Sequence, residues 1–269
     1  MIDYLCNAFT PDRASVWDAA TRGLALKIRR DEFVEPEAMV DRMDELGFST
    51  LLLPTGHLDE HDFTPVASRW EETAKLVKRW PRRFAALALI DPRGGMPAVR
   101  ELGRRLDDPW VAGCYIHTHS FDIPFDAAEY YPFYALAAER DVPVVMQAGI
   151  SGGMTPSECA RPIRLDRAAL FFAGTRFVLS HTGYPWVDEA IALARKFPNV
   201  FVGTASYPPK RWPAAVVENL WTHKIVFGSN FPTVGHGQAV AQLEELGLDK
   251  DPELLEGAAR RIFTRLETA

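Results

Sequence analysis

The chain has 269 residues, 47% hydrophobic and 25% charged, the composition of an ordinary globular protein. Its net charge of −6 excludes the broad basic footprint that nucleic acids and anionic membranes require, yet leaves room for a small anion held by a local arginine cluster. Three scattered cysteines, the lack of a basic-then-apolar leader and the lack of a run of roughly 18 apolar residues imply a cytoplasmic protein with neither disulfide framework nor structural zinc.

In chain order, short apolar runs bounded by turn residues predict strands over 2–7, 50–55, 84–90, 111–117, 142–147, 176–181, 200–205 and 224–230. Most are apolar throughout, as parallel strands covered on both faces are. Helices are expected between them, over 36–47, 67–79, 97–107, 127–140, 165–173, 187–197, 212–221 and 236–246, with a last one over 252–265. Pro36 with Glu37, and Pro213, are start signals for two of these helices. Eight alternations in this length predict an α/β chain folded as a single (β/α)₈ TIM barrel, one domain over 1–269. No G-x-G-x-x-G follows the first strand, which argues against an open dinucleotide-binding sheet. The connections at 8–35 (with Trp17, Lys27, Arg29 and Arg30), 55–66 and 149–164 are long, as loops over a barrel mouth are.

The polar residues at the strand ends are the candidates for chemistry: Asn7, Gln147, His181 and Asn230. Residues two apart in a strand share a face, so Asp3, Leu5 and Asn7 are expected to point together, with Cys6 turned away. His181 reads either as a packed, hydrogen-bonded histidine or as a general acid or base in the pocket, for which its ordinary pKa near 6.5 suits it. His117 and His119 read as a metal-ligand pair after the fourth strand or as pocket-lining polar groups. His57 and His61 fall in a polar loop, His223 precedes the eighth strand at the far end, and His236 opens the helix after Asn230. Arg161 and Arg164 offer a fork for a carboxylate, or else form ion pairs with Asp166 or Glu158. Tyr184, Trp186, Tyr207 and Phe231 follow strands six to eight and are candidates for the wall of an apolar pocket.

The run His181-Thr182-Gly183-Tyr184-Pro185-Trp186, with Phe227-Gly228-Ser229-Asn230-Phe231-Pro232 about fifty residues on, resembles the amidohydrolase-related family. That resemblance implies a metal-dependent decarboxylase or a hydrolase of carboxylated small molecules, often oligomeric. It also implies metal ligands at His-x-His on the first strand, His on the fifth and sixth, and Asp on the eighth. The matching positions here are Leu5 and Asn7, Gln147, His181 and Asn230. Leu5 cannot donate, and neutral amides bind zinc or manganese poorly. The expectation is therefore no metal, with a single divalent ion such as zinc bound through His181 as the alternative, helped by His57, His117 or His119. The activity expected is hydrolysis of an ester, lactone, amide or C–C bond, or decarboxylation, of a small carboxylated, aromatic or unsaturated substrate. His181, Asn230, Gln147 and Asn7 would be catalytic, with His117, Arg161, Tyr184, Trp186, Tyr207 and Phe231 binding substrate. The partners expected are that small molecule and further copies of the chain, not nucleic acid or membrane. The competing reading is an inactive barrel that serves as a binding or subunit protein.

Overall fold

The computed structural model describes residues 1–7, 9–11, 32–58, 65–66 and 69–267. Trp17, Lys27, Arg29, Arg30 and His61 lie outside the described residues. Eight strands follow one another around a parallel sheet. They are β1 (Ile2–Asp3), β2 (Thr50–Pro54), β3 (Phe84–Leu89), β4 (Val111–Ile116), β5 (Val144–Gln147), β6 (Phe177–Ser180), β7 (Val200–Gly203) and β8 (Ile225–Val226). The sheet closes on itself just past the ends of β1 and β8. Asn230 N donates to Leu5 O at 2.8 Å, Asn7 N donates to Phe231 O at 2.9 Å, and Cys6 and Phe231 form a parallel bridge. The fold is thus a (β/α)₈ barrel, with a short antiparallel ribbon, His57–Leu58 against Pro65–Val66, after β2.

The helices that return the chain are α1 (Pro36–Leu46), α2 (Trp70–Arg79), α3 (Gly95–Arg105), α4 (Tyr131–Glu139), α5 (Leu165–Phe171), α6 (Val187–Lys196), α7 (Ala214–Val217) and α8 (His236–Glu245). Each lays an apolar stripe on the sheet. In α2, Thr73, Ala74, Leu76 and Val77 are buried while Lys75 and Lys78 face out, which is the 3.6-residue period at work. The residues expected to form the last helix give a π-turn over Glu253–Gly257 followed by α9 (Ala258–Ile262).

Strand side chains divide into two layers. Leu51, Leu53, Cys114, Met146, Leu179 and Val202 pack outward against helices, while Leu52, Leu87, Tyr115, Val145, Val178 and Phe201 fill the barrel. Tyr4, wholly buried, belongs to the same inner set. Its ring passes so close to β7 and β8 that a Cβ on Gly203 would lie 2.1 Å from its hydroxyl, and one on Gly228 would lie 2.4 Å from its ring, so both strands need glycine there. Phe263 stacks on Tyr4 at 6.5 Å, and with Ala258, Ala259 and Ile262 it plugs the end where the strands begin. His223 sits at this end, its carbonyl accepting from Arg261 Nη2 at 3.2 Å.

The expected common face of Asp3, Leu5 and Asn7 is corrected by the structure. The chain bends at Tyr4, and Leu5 N turns back onto Asp3 Oδ1 at 3.1 Å. Tyr4 and Leu5 therefore both join the inner layer, and Asp3 is left outside with Ser229 and His236. The regular ladder of β1 accordingly stops at Asp3.

Candidate active site at the strand ends

The C-terminal ends of the strands form the mouth. A separate cavity of about 330 Å³, lined by Phe84, Trp110 and Arg265 among others, lies at the opposite end and reaches none of the candidate residues.

On the β8–β1 side, Asn7 Nδ2 donates to Asn230 Oδ1. Asn230 Nδ2 in turn donates to Ser206 Oγ at 2.6 Å and lies 3.3 Å from Thr233 Oγ1. The carbonyl of Asn7 accepts from the buried guanidinium of Arg69. Asn230 has φ 54, in the left-handed region, which asparagine tolerates better than most side chains do. The two amides at the positions where the family resemblance implies a histidine and an aspartate are thus bonded to each other.

The β4–β6 side is different. His117, His119 and His181 are near enough to one another that each pair appears among the electrostatic influences on the ring titrations. His117 and His119 have ring centroids 6.1 Å apart. His117 Nδ1 bonds to Ser120 Oγ, and His119 Nε2 bonds to Gly149 O at 2.9 Å. A carbonyl only accepts, so Nε2 of His119 carries the proton and Nδ1 keeps a bare lone pair. Among the described residues His119 Nδ1, His181 Nδ1 and Gln147 Oε1 are buried without hydrogen-bond partners. Burial pushes His117 and His181 down to about 3, with neighbouring histidines a smaller cause, and lowers His119 too, partly offset by Gly149 O and Gln147. All three rings are therefore neutral at ordinary pH.

The backbone here is strained. His181, Thr182 and Gly183 have φ of 60, 56 and 73, a left-handed run that costs a β-branched threonine most. Beneath it, Tyr4 Oη and Ser180 Oγ are 2.7 Å apart in the barrel interior. Gly149 is held at φ 96 against this turn, where a Cβ would meet Tyr184 O at 2.2 Å. Only glycine brings the carbonyl that orients His119 so close.

The expected substrate-binding set is placed unevenly. Tyr184 and Tyr207 have rings 5.8 Å apart at the rim, and burial pushes the Tyr207 hydroxyl up to about 12. Trp186 lies 5.7 Å from the Arg161 guanidinium. Arg161 itself is taken by Glu189, with contacts of 2.6 and 2.9 Å, and Arg164 by Glu158 at 2.9 Å, so neither offers a free fork. Phe231 stacks on His236 in the outer layer and is wholly buried, turned away from the mouth by the closing bridge of the barrel. His236 is likewise outside, on Asp3. Ser120, Ser206, Arg69 and Gly149 were not singled out from the sequence. Of these only Gly149, directly after the fifth-strand Gln147-Ala148, carried a local signal.

A search of curated protein sequences found no match. Among solved structures, an uncharacterised TIM-barrel protein from Bordetella bronchiseptica superposes with a TM-score of 0.80 at 19% identity, over 99% of both chains. 5-Carboxyvanillate decarboxylase from Sphingomonas paucimobilis gives 0.67 at 16% identity over 98% of each. Dihydroxybenzoic acid decarboxylase from Polaromonas sp. JS666, solved with manganese and the inhibitor 2-nitroresorcinol, gives 0.68 at 19%, over 98% of this chain and 97% of that one. At these identities the neighbours establish the fold. No described helix is long and apolar enough to cross a membrane. The amidohydrolase family profile matches residues 28–265, nearly the whole barrel, and the chain belongs to that family.

Proposed function

We propose that the chain is a hydrolase or decarboxylase of a small, carboxylated, aromatic or unsaturated substrate, bound where the strands end. Family membership and the aromatic acids handled by two of the neighbours support this class. The observation that carries it is the set of buried, unsatisfied polar atoms at His119, Gln147 and His181. A barrel kept only for its shape would gain by filling that corner with apolar side chains, because each orphaned polar atom costs about 1–3 kcal/mol.

The manganese of the Polaromonas neighbour argues for a divalent ion rather than none. The residues at the family's ligand positions do not fit one: Leu5 is apolar and fully buried, Asn230 Oδ1 already accepts from Asn7 Nδ2, and the amides of Asn7 and Gln147 carry no charge. A dication there would meet no charged donor. The chemistry at the mouth falls to the protein's own groups. Burial lowers His181 to about 3, well below its ordinary 6.5. Its lone pair therefore serves as a general base only when a bound substrate carboxylate beside it raises that value. The amide of Gln147 and the second amide hydrogen of Asn7 donate to a carboxylate or a developing oxyanion, while Asn230 holds Asn7 in place. His117 lines the substrate beside Ser120, and Tyr184 and Tyr207 wall the rim.

The test is a panel of aromatic and unsaturated carboxylates, lactones and esters. With a substrate found, His181→Ala is expected to lower kcat/KM by about 10²–10⁴-fold, whereas His223→Ala at the far end changes stability rather than rate. An active protein indifferent to His181→Ala removes that residue from the mechanism. A protein inert across the panel and recovered tightly with another chain favours the noncatalytic barrel, a reading that the mutually satisfied Asn7 and Asn230 support.

A further inference from the structure

Asp3, Cys6 and His236 lie on the outer side of the β8–β1 seam, away from the mouth. All three are at most 1% exposed, and their metal-capable atoms fall within 4.8 Å of one another. His236 Nε2 stands 3.0 Å from Asp3 Oδ2, close to the roughly 3.3 Å edge between two ligands on one tetrahedral zinc. Ser229 Oγ, which donates to Asp3 Oδ2 and accepts from Phe231 N at 2.8 Å, adds a weak, neutral fourth donor. The thiol of Cys6 is free and buried, and no described residue gives it a hydrogen bond.

We propose that Asp3, Cys6 and His236 form a closed zinc site that ties β1 to α8 behind the seam, independent of the chemistry at the mouth. Loading it releases one proton, from the Cys6 thiol. The proton that His236 Nε2 now donates to Asp3 shifts to Nδ1, and the neutral imidazole passes its Nε2 lone pair to the ion. Carboxylate, thiolate and dication then sum to zero charge in a place where an unbalanced charge is costly. Without an ion, burial and the neighbouring Asp3 keep the thiol protonated, so the site is a hydrogen-bonded knot in that state. A thiolate and an imidazole select zinc over manganese or magnesium. Full burial leaves no position for substrate, which is the mark of a structural rather than a catalytic ion.

The whole chain, expressed with added zinc and purified without chelator, is expected to hold about one zinc per chain by elemental analysis. Cys6→Ala is expected to hold below about a tenth of that, and His181→Ala the full amount. Cobalt in place of zinc should give a thiolate charge-transfer band that Cys6→Ala lacks. Cys6→Ser serves the same purpose if Cys6→Ala does not fold. A folded wild type that stays zinc-free after this treatment overturns the site, as does equal zinc in wild type and Cys6→Ala. Zinc lost in His181→Ala but kept in Cys6→Ala would move the ion to the mouth and overturn the site as well. None of these outcomes depends on finding a substrate, so a failure here leaves the catalytic reading standing.

Discussion

Between β8 and β1 the mouth's polar side chains satisfy one another: Asn7 bonds Asn230, and Asn230 bonds Ser206. Between β4 and β6 the same kind of strand-end position carries His119, Gln147 and His181 with buried atoms left unmade, over a turn of three consecutive left-handed residues. One half of the mouth has the character of a finished core and the other that of a site waiting for a partner. In a barrel this contrast is informative because both halves share one scaffold and differ only in side chains and loop backbone. The seam's amides gain stability from the hydrogen bonds they close, while the histidine corner gathers orphaned atoms that cost stability, a pattern expected where a ligand supplies the missing contacts.

The largest effect is expected behind the seam. Asp3 accepts from Leu5 N, Ser229 N, Ser229 Oγ and His236 Nε2, all without exposure to water. Asp3→Ala leaves these four donors buried and unpaired, and should lower unfolding free energy by about 3–5 kcal/mol. Urea denaturation measures it. A loss under about 1 kcal/mol would mean that water reaches the seam and that it is not the closed region described.

The histidine corner should respond to acid instead. Folding holds His117 and His181 near 3, whereas the unfolded chain protonates them near 6.5. Below about 6.5 the unfolded state therefore binds more protons, and stability falls as pH drops from there toward 3, where the folded rings charge as well. Metal-stripped protein should keep its urea midpoint between about pH 8 and 7 and lose it steadily from about 6.5 to 5, a range above most carboxylate titrations. Changing both His117 and His181 to Gln should flatten that decline. A wild-type midpoint that stays level down to about pH 5 would show that these rings are solvated, and the contrast between the two halves would fail.

The barrel was legible because its signal is repetitive: each strand is a short apolar run, and every one falls within a few residues of its expected place. The side-chain bearings at the seam were not. Alternation placed Asp3 beside Asn7, and one bend at Tyr4 reversed it. The partnership of Asp3 with His236 spans 233 positions, so no spacing rule reaches it, and the cysteine spacing that argued against structural zinc could not see it. Arg161 pairs with Glu189 of α6 rather than with a carboxylate nearby in sequence, because α6 packs against the turn that carries it. His181 was visible as a strand-end histidine, but its neutrality comes from burial among other imidazoles, which only the closed barrel shows.

The smallest expected effect tests whether the seam's amides are neutral by need or by chance. Asn230→Asp restores the carboxylate that the family resemblance places on the eighth strand. Asn7 Nδ2 can still donate to it, and the Ser206 hydroxyl, which now accepts from Asn230 Nδ2, can rotate to donate instead. Aspartate also tolerates the left-handed backbone that position 230 adopts. Every hydrogen bond of the amide pair thus has a counterpart, and stability at neutral pH should change by no more than about 1 kcal/mol. Metal content at the mouth should not rise, because Leu5, Asn7 and Gln147 still supply no second charge. Elemental analysis on a Cys6→Ala background isolates the mouth from the seam. Stoichiometric manganese or zinc in that double variant would mean that one carboxylate suffices to complete a metal site, and that the β8–β1 side is one substitution away from the family's arrangement rather than a finished core.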